Sequence, residues 1–110
     1  MGDLLRVTSE KEGYTLSDRA TYLANKSTIS LDIMVQSDPI LLNIYHVIEV
    51  NPGKFSGTNI KINQEGARAF VKFLIDPKTQ EVIGKFGVDK YGQPLFFPDA
   101  GKTEASLGNY

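Results

Sequence analysis

Ile29-Ser30-Leu31-Asp32-Ile33-Met34-Val35 sets Ile29, Leu31, Ile33 and Val35 against Ser30, Asp32 and Met34. Successive side chains of a strand point to opposite faces, so apolar residues at every second position predict a half-buried strand. Upstream, Leu4–Thr8 reads as a short strand ending in the polar Ser-Glu-Lys-Glu-Gly turn. Between the two, Thr15-Leu16-Ser17-Asp18 fits a capping box with Asp in the Glu position, and Leu16, Ala20 and Leu23 follow at helical spacing. That helix should fade near Asn25-Lys26.

Downstream, Asp38-Pro39 reads as an N-cap and N1 proline opening a short helical turn over Ile40–Asn43. Tyr45–Val50 is rich in strand formers and closes on the Asn51-Pro52-Gly53 turn. Gln64–Ile75 is the clearest helix, with Ala67, Phe70, Val71 and Leu74 forming one apolar stripe. Asp76-Pro77 ends it and starts another, whose buried face is Val82, Ile83 and Phe86 and whose end is marked by Gly87. Pro94–Phe97 is a last apolar segment, and Gly101–Tyr110 reads as a frayed, flexible tail. Strands interleaved with helices predict an α/β domain over residues 1–100, with a mixed or parallel sheet flanked by helices.

The 110 residues suit one domain. Apolar residues at 41% and charged residues at 23% are ordinary for a folded globular chain and exclude disorder by composition. The net charge of −1 is spread evenly: five basic and seven acidic residues in 1–55, seven and six in 56–110. A protein that grips a phosphate backbone needs a basic excess, so nucleic acid is not an expected partner. The absence of Cys excludes disulfides and thiolate sites, and a single His, His46, leaves no basis for a resident metal. No apolar run reaches the roughly 18 residues a bilayer span needs. No signal peptide is expected either, because Met-Gly-Asp-Leu-Leu-Arg has neither a basic start nor a sustained apolar stretch.

Chemistry concentrates in Tyr14-Thr15-Leu16-Ser17-Asp18-Arg19-Ala20-Thr21-Tyr22. A helix start presents free N–H groups and the positive end of the helix dipole, a natural seat for an anion. Ser17 and Thr21 lie four apart on one face, while Arg19 offers a planar fork of donors but sits about 200° around the helix from both. The competing reading is structural: Thr15 and Asp18 cap, and Arg19 pairs with an acid such as Asp18 or Glu12. His46, in an apolar strand, reads as a hydrogen-bonded or surface histidine rather than a lone base. Phe70, Phe73, Phe86, Phe96 and Phe97 read as core. Gly84-Lys85-Phe86-Gly87 is a helix end rather than a phosphate loop. No nucleophile meets a base, so an enzyme is not expected.

Glu10-Lys11 and Gly13 through Ala24 resemble the signature of the tungstate-binding proteins of ABC importers. The same order continues through Asp38-Pro39, Leu42–Ile48, Val50-Asn51-Pro52, Ala67–Leu74 and Tyr91–Ala100, so the resemblance covers most of residues 4–100. It implies a type II periplasmic binding protein, in which two α/β lobes close on a tetrahedral oxyanion and pass it to a membrane permease. The ligand would be tungstate or molybdate, a metal oxyanion rather than a bound metal cofactor. The location would be periplasmic or extracellular. The family's Arg maps to Arg19 as an anion contact, with Ser17 and Thr21 as neighbouring hydroxyls.

The run of threonines ending in serine that forms much of the family's site is absent; the nearest run, Lys26-Ser27-Thr28, lies downstream of the Arg motif. The chain therefore resembles the family's C-terminal half: part of the second lobe and segments returning to the first. Segments built to pair with missing strands predict self-association, by strand exchange between two copies. Two other readings stand beside anion binding. One is a ligand-free interaction or regulatory module that keeps the fold. The other is an enzyme with Arg19 as anchor and His46 as base.

Overall fold

The structure, a computed structural model, describes residues 1–108, with Glu104 described by its backbone alone. Among these residues there are five α-helices: α1 (Gly2–Glu10), α2 (Arg19–Asn25), α3 (Gln64–Ile75), α4 (Pro77–Lys85) and the four-residue α5 (Val88–Tyr91). Short 3-10 helices stand at Pro39–Leu41, Pro52–Phe55 and Glu104–Ser106. Residues 109 and 110 of the expected tail lie outside the described residues.

No strand is present among the described residues, which overturns the α/β expectation and its mixed or parallel sheet. Leu4–Thr8 is helical, within α1. So short an apolar run fits either period, and here the helical one wins, because Leu5 and Thr8, three apart, are the buried pair. Arg6 adds an ion pair to Glu10 one turn on, at 2.8 Å. Ile29–Val35 and Tyr45–Val50 have the composition of strands and no neighbouring chain to pair with. A sheet hydrogen bond needs two segments, and alternation in one cannot supply the other. Among the described atoms, no main-chain N–H of residues 31–36 or 43–50 finds an acceptor.

The helix boundaries follow their caps. Asn63 accepts from the Gly66 amide at the start of α3, and Asp76 accepts from the Lys78 amide before Pro77 at the start of α4. Asp38 and Asn51 cap the first two 3-10 helices in the same way, each ahead of a proline. One expected start moves. α2 begins at Arg19, not at Thr15, because the Asp18 carboxylate, rather than the Thr15 hydroxyl, takes the first free amide.

The core is small. Leu5 (2% exposed), Tyr22 and Leu23 are buried where α1 packs on α2, with Ile29, Leu31, Tyr91 and Leu95 against them. Tyr22 places its hydroxyl on the Leu31 carbonyl at 3.1 Å, and the Ser30 amide donates to Ser9 Oγ at 2.8 Å, which ties the chain after α2 back to α1. The expected aromatic core is not formed. Phe70, Phe73 and Phe86 are each more than half exposed, and of the face expected on α4 only Ile83 is partly covered.

Gly87 joins the two halves of this arrangement. It has φ 88°, and a Cβ there would lie 2.5 Å from Leu95 Cγ. Only glycine combines the left-handed turn after α4 with so close an approach. The Leu95 amide donates to the Phe86 carbonyl at 3.0 Å, which returns the chain past α5 to the α1–α2 core.

Candidate functional site

Residues 17–21 form the start of α2. Asp18 accepts from the Thr21 amide at 2.7 Å and from the Thr21 hydroxyl at 2.8 Å. Burial pushes the Asp18 carboxyl up, but the Thr21 hydrogen bonds, its own backbone amide and the charge of the N-terminus together hold it below its ordinary 3.8. The helix terminus expected to seat an anion thus already carries a negative charge of its own. Ser17 spends its hydroxyl proton on the Asp18 carbonyl at 3.1 Å. A hydroxyl has one proton to donate, so in this arrangement neither Ser17 nor Thr21 offers one to a ligand.

Arg19 is placed differently. Its Nη1 donates to Gln93 Oε1 at 3.1 Å, across 74 residues of sequence, and its guanidinium lies 5.6 Å from the Phe97 ring centre. No carboxylate of a described residue lies within 4.0 Å of it, so the expected pairing with Asp18 or Glu12 is not formed. A guanidinium has five N–H donors, and one neutral amide contact leaves both its charge and most of its donors uncommitted. Half-buried and stacked on an aromatic face, Arg19 is held in place without being neutralised.

Gln93 is the residue that local sequence patterns do not reveal. It comes from the turn after α5, whose end at Gly92 (φ 73°) is left-handed. It also lines an open depression of about 540 Å³ together with Leu23, Lys26, Ser27, Lys90 and Tyr91 among others, with no acidic residue in its wall. Lys90 lies 5.2 Å from the Tyr91 ring centre. The only sequence signal that links these pieces to Arg19 is the colinear segment Tyr91–Ala100. His46 is exposed, away from any such cluster. Among the described residues no group of three or more His, Asp or Glu could hold a metal ion.

Over its whole length the chain is 39% identical to a putative ABC transporter anion-binding protein of Haloferax volcanii, covering 32% of that protein. The chain is 48% identical to the tungstate-binding protein TupA of Peptoclostridium acidaminophilum over 93% of its own length, and 34% identical to TupA of Campylobacter jejuni over 87%. These matches cover 34% and 35% of the two tungstate-binding proteins. The resemblance read from the motifs is thus borne out, with one adjustment. The chain spans about a third, not half, of the relatives it matches. No family model matches the chain, and no solved structure is significantly similar to it. The relatives are named for binding, none for catalysis. No helix among the described residues is long and apolar enough to cross a membrane.

Proposed function

We propose that this chain supplies part of the oxyanion site of an ABC transporter solute-binding protein, with Arg19 as the contact and tungstate or molybdate as the ligand. The observation that carries the reading is the state of Arg19: held by Gln93 and Phe97, and facing no carboxylate among the described residues. A dianion taken out of water needs fixed, charge-assisted donors, and a guanidinium fork meets that need better than an ammonium. The names of two relatives support tungstate, and that of the third an anion. The same reading makes a membrane permease the partner and a periplasmic or extracellular location the setting. Ser17 and Thr21 join the site only by turning their hydroxyls from Asp18 to the anion, so they contribute less than Arg19.

Titration calorimetry with tungstate, molybdate and sulfate tests this. The wild-type chain should bind the two metal oxyanions. Arg19→Ala should weaken that binding by roughly 10- to 150-fold, the equivalent of one charged hydrogen bond of about 1.5–3 kcal/mol. Ser17→Ala and Thr21→Val should cost less. Equal heats for wild type and Arg19→Ala would remove Arg19 from the site.

A further inference from the structure

Two parts of the chain that are far apart in sequence reach Arg19 from one core. Arg19 opens α2, whose Tyr22 and Leu23 are buried with Leu5. Gln93 and Phe97 stand two residues either side of Leu95, which packs against that same cluster and ties its amide to the Phe86 carbonyl at 3.0 Å. Gln93 itself lies between the left-handed Gly92 and Pro94. A residue before proline is confined to extended backbone, so this side chain comes from a restricted stretch of chain. The result is a guanidinium with one nitrogen on Gln93 Oε1, at 3.1 Å, and its carbon 5.6 Å from the Phe97 ring centre.

The charge of the partner decides what this contact does. Arg carries donors only, so the amide must turn its oxygen to the guanidinium. That oxygen is neutral. Glu has the same length as Gln, and a carboxylate at position 93 would pair with Arg19 and cancel its charge. The carboxylate next to Arg19 in sequence is withheld as well, because both Asp18 oxygens accept from Thr21, at 2.7 and 2.8 Å. The depression that Gln93 borders adds Lys26 and Lys90 and no acid. Arg19 is thereby fixed by a group that leaves its charge intact. A cationic fork already held in place spares a dianion leaving water the loss of freedom that ordering it would require.

We propose that Gln93 is the positioning residue of the oxyanion site: its neutral amide sets the Arg19 guanidinium in place, with Phe97 against it, and leaves the charge for the ligand. Gln93 acts through Arg19 and not on the anion. The inference rests on the reading of Arg19 as the anion contact and adds a rule for position 93, which is an acceptor without charge.

Tungstate calorimetry beside urea denaturation tests this on variants of the 110-residue chain. Gln93→Met keeps the length and removes the acceptor; it should weaken binding about threefold to tenfold, the effect of losing one hydrogen bond that orders the guanidinium. Gln93→Glu keeps the acceptor and adds a charge. It should hold or raise the urea midpoint, because an ion pair then ties α2 to the turn after α5. It should nevertheless weaken binding at least about a hundredfold, because the guanidinium is neutralised and a like charge faces the dianion. A role in folding alone does not separate the two readouts. In an Arg19→Ala background, Gln93→Met should change affinity no further. Gln93→Glu binding as wild type does, or losing stability and affinity together, would overturn the proposal. So would Gln93→Met with unchanged affinity, or an effect of Gln93→Met that persists without Arg19. If Arg19→Ala binds tungstate as well as wild type, or wild type binds none, the contact assigned to Arg19 fails and this inference with it. A loss in Arg19→Ala with no change in either Gln93 variant sinks the inference alone.

Discussion

At the scale of single residues, the start of α2 separates two jobs that lie side by side in sequence. Asp18 holds the helix and Arg19 remains available. Asp18→Ala should cost about 0.5–2 kcal/mol, the usual worth of an N-cap, measured as a fall in the urea midpoint. The pH dependence has a definite sign. Because the folded carboxyl sits below its ordinary 3.8, its contribution is complete above that value and is lost as pH falls through the lower folded one. Asp18→Asn should keep the cap and flatten this acid loss in thermal melts; an unchanged acid limb would show that the loss comes from elsewhere. The residue pattern pointed to 14–22, where the structure joins Asp18 and Thr21 in a helix cap and ties Arg19 to Gln93. It could not tell which oxygen would cap, since Thr15 and Asp18 both suit the role and only the turn of the chain decides between them. Nor could it find Gln93, whose relation to Arg19 exists only once the chain has folded back across 74 residues.

At the scale of elements, α2, α3 and α4 were readable, whereas α1 and α5 were not, and none of the expected strands formed among the described residues. A helix closes its hydrogen bonds within its own sequence, so the stripe of α3 and Asp76-Pro77 were enough to place Gln64–Ile75. A strand's bonds lie in a neighbour, and the alternation of Ile29–Val35 shows only what that segment could offer to one. The joint at Gly87 can be tested by comparison with Gly92. Both have positive φ, but only at Gly87 does a Cβ meet Leu95, whereas nothing lies within 4 Å of one at Gly92. Gly92→Ala should therefore lose only the left-handed strain, about 1–2 kcal/mol. Gly87→Ala should lose more, because Leu95 must leave the α1–α2 core. Equal losses by urea denaturation would mean that the Leu95 contact carries no weight.

At the scale of the whole molecule, α1 and α2 bury three apolar side chains together while most aromatic residues stay uncovered, and both the accessible area and the radius of gyration reflect this. Small-angle scattering of the dilute chain should give a radius of gyration near 18.2 Å; a value near 13 Å, the compact expectation, would mean that the chain closes on itself. What the composition did convey was a sequence with enough apolar residues for a core. The proposed role of Arg19 in receiving the oxyanion has a built-in control, since the chain holds just three arginines: Arg6, Arg19 and Arg68. Arg6 pairs with Glu10 and Arg68 with Glu49, so only Arg19 is left facing no carboxylate among the described residues. The most direct measurement is a tungstate titration that follows the three arginine Nε–H signals by nitrogen-edited NMR. Binding at the proposed site shifts the Arg19 signal to saturation and leaves those of Arg6 and Arg68 in place. An Arg19 signal that stays still at saturating tungstate, or that moves only in step with the other two, contradicts the account.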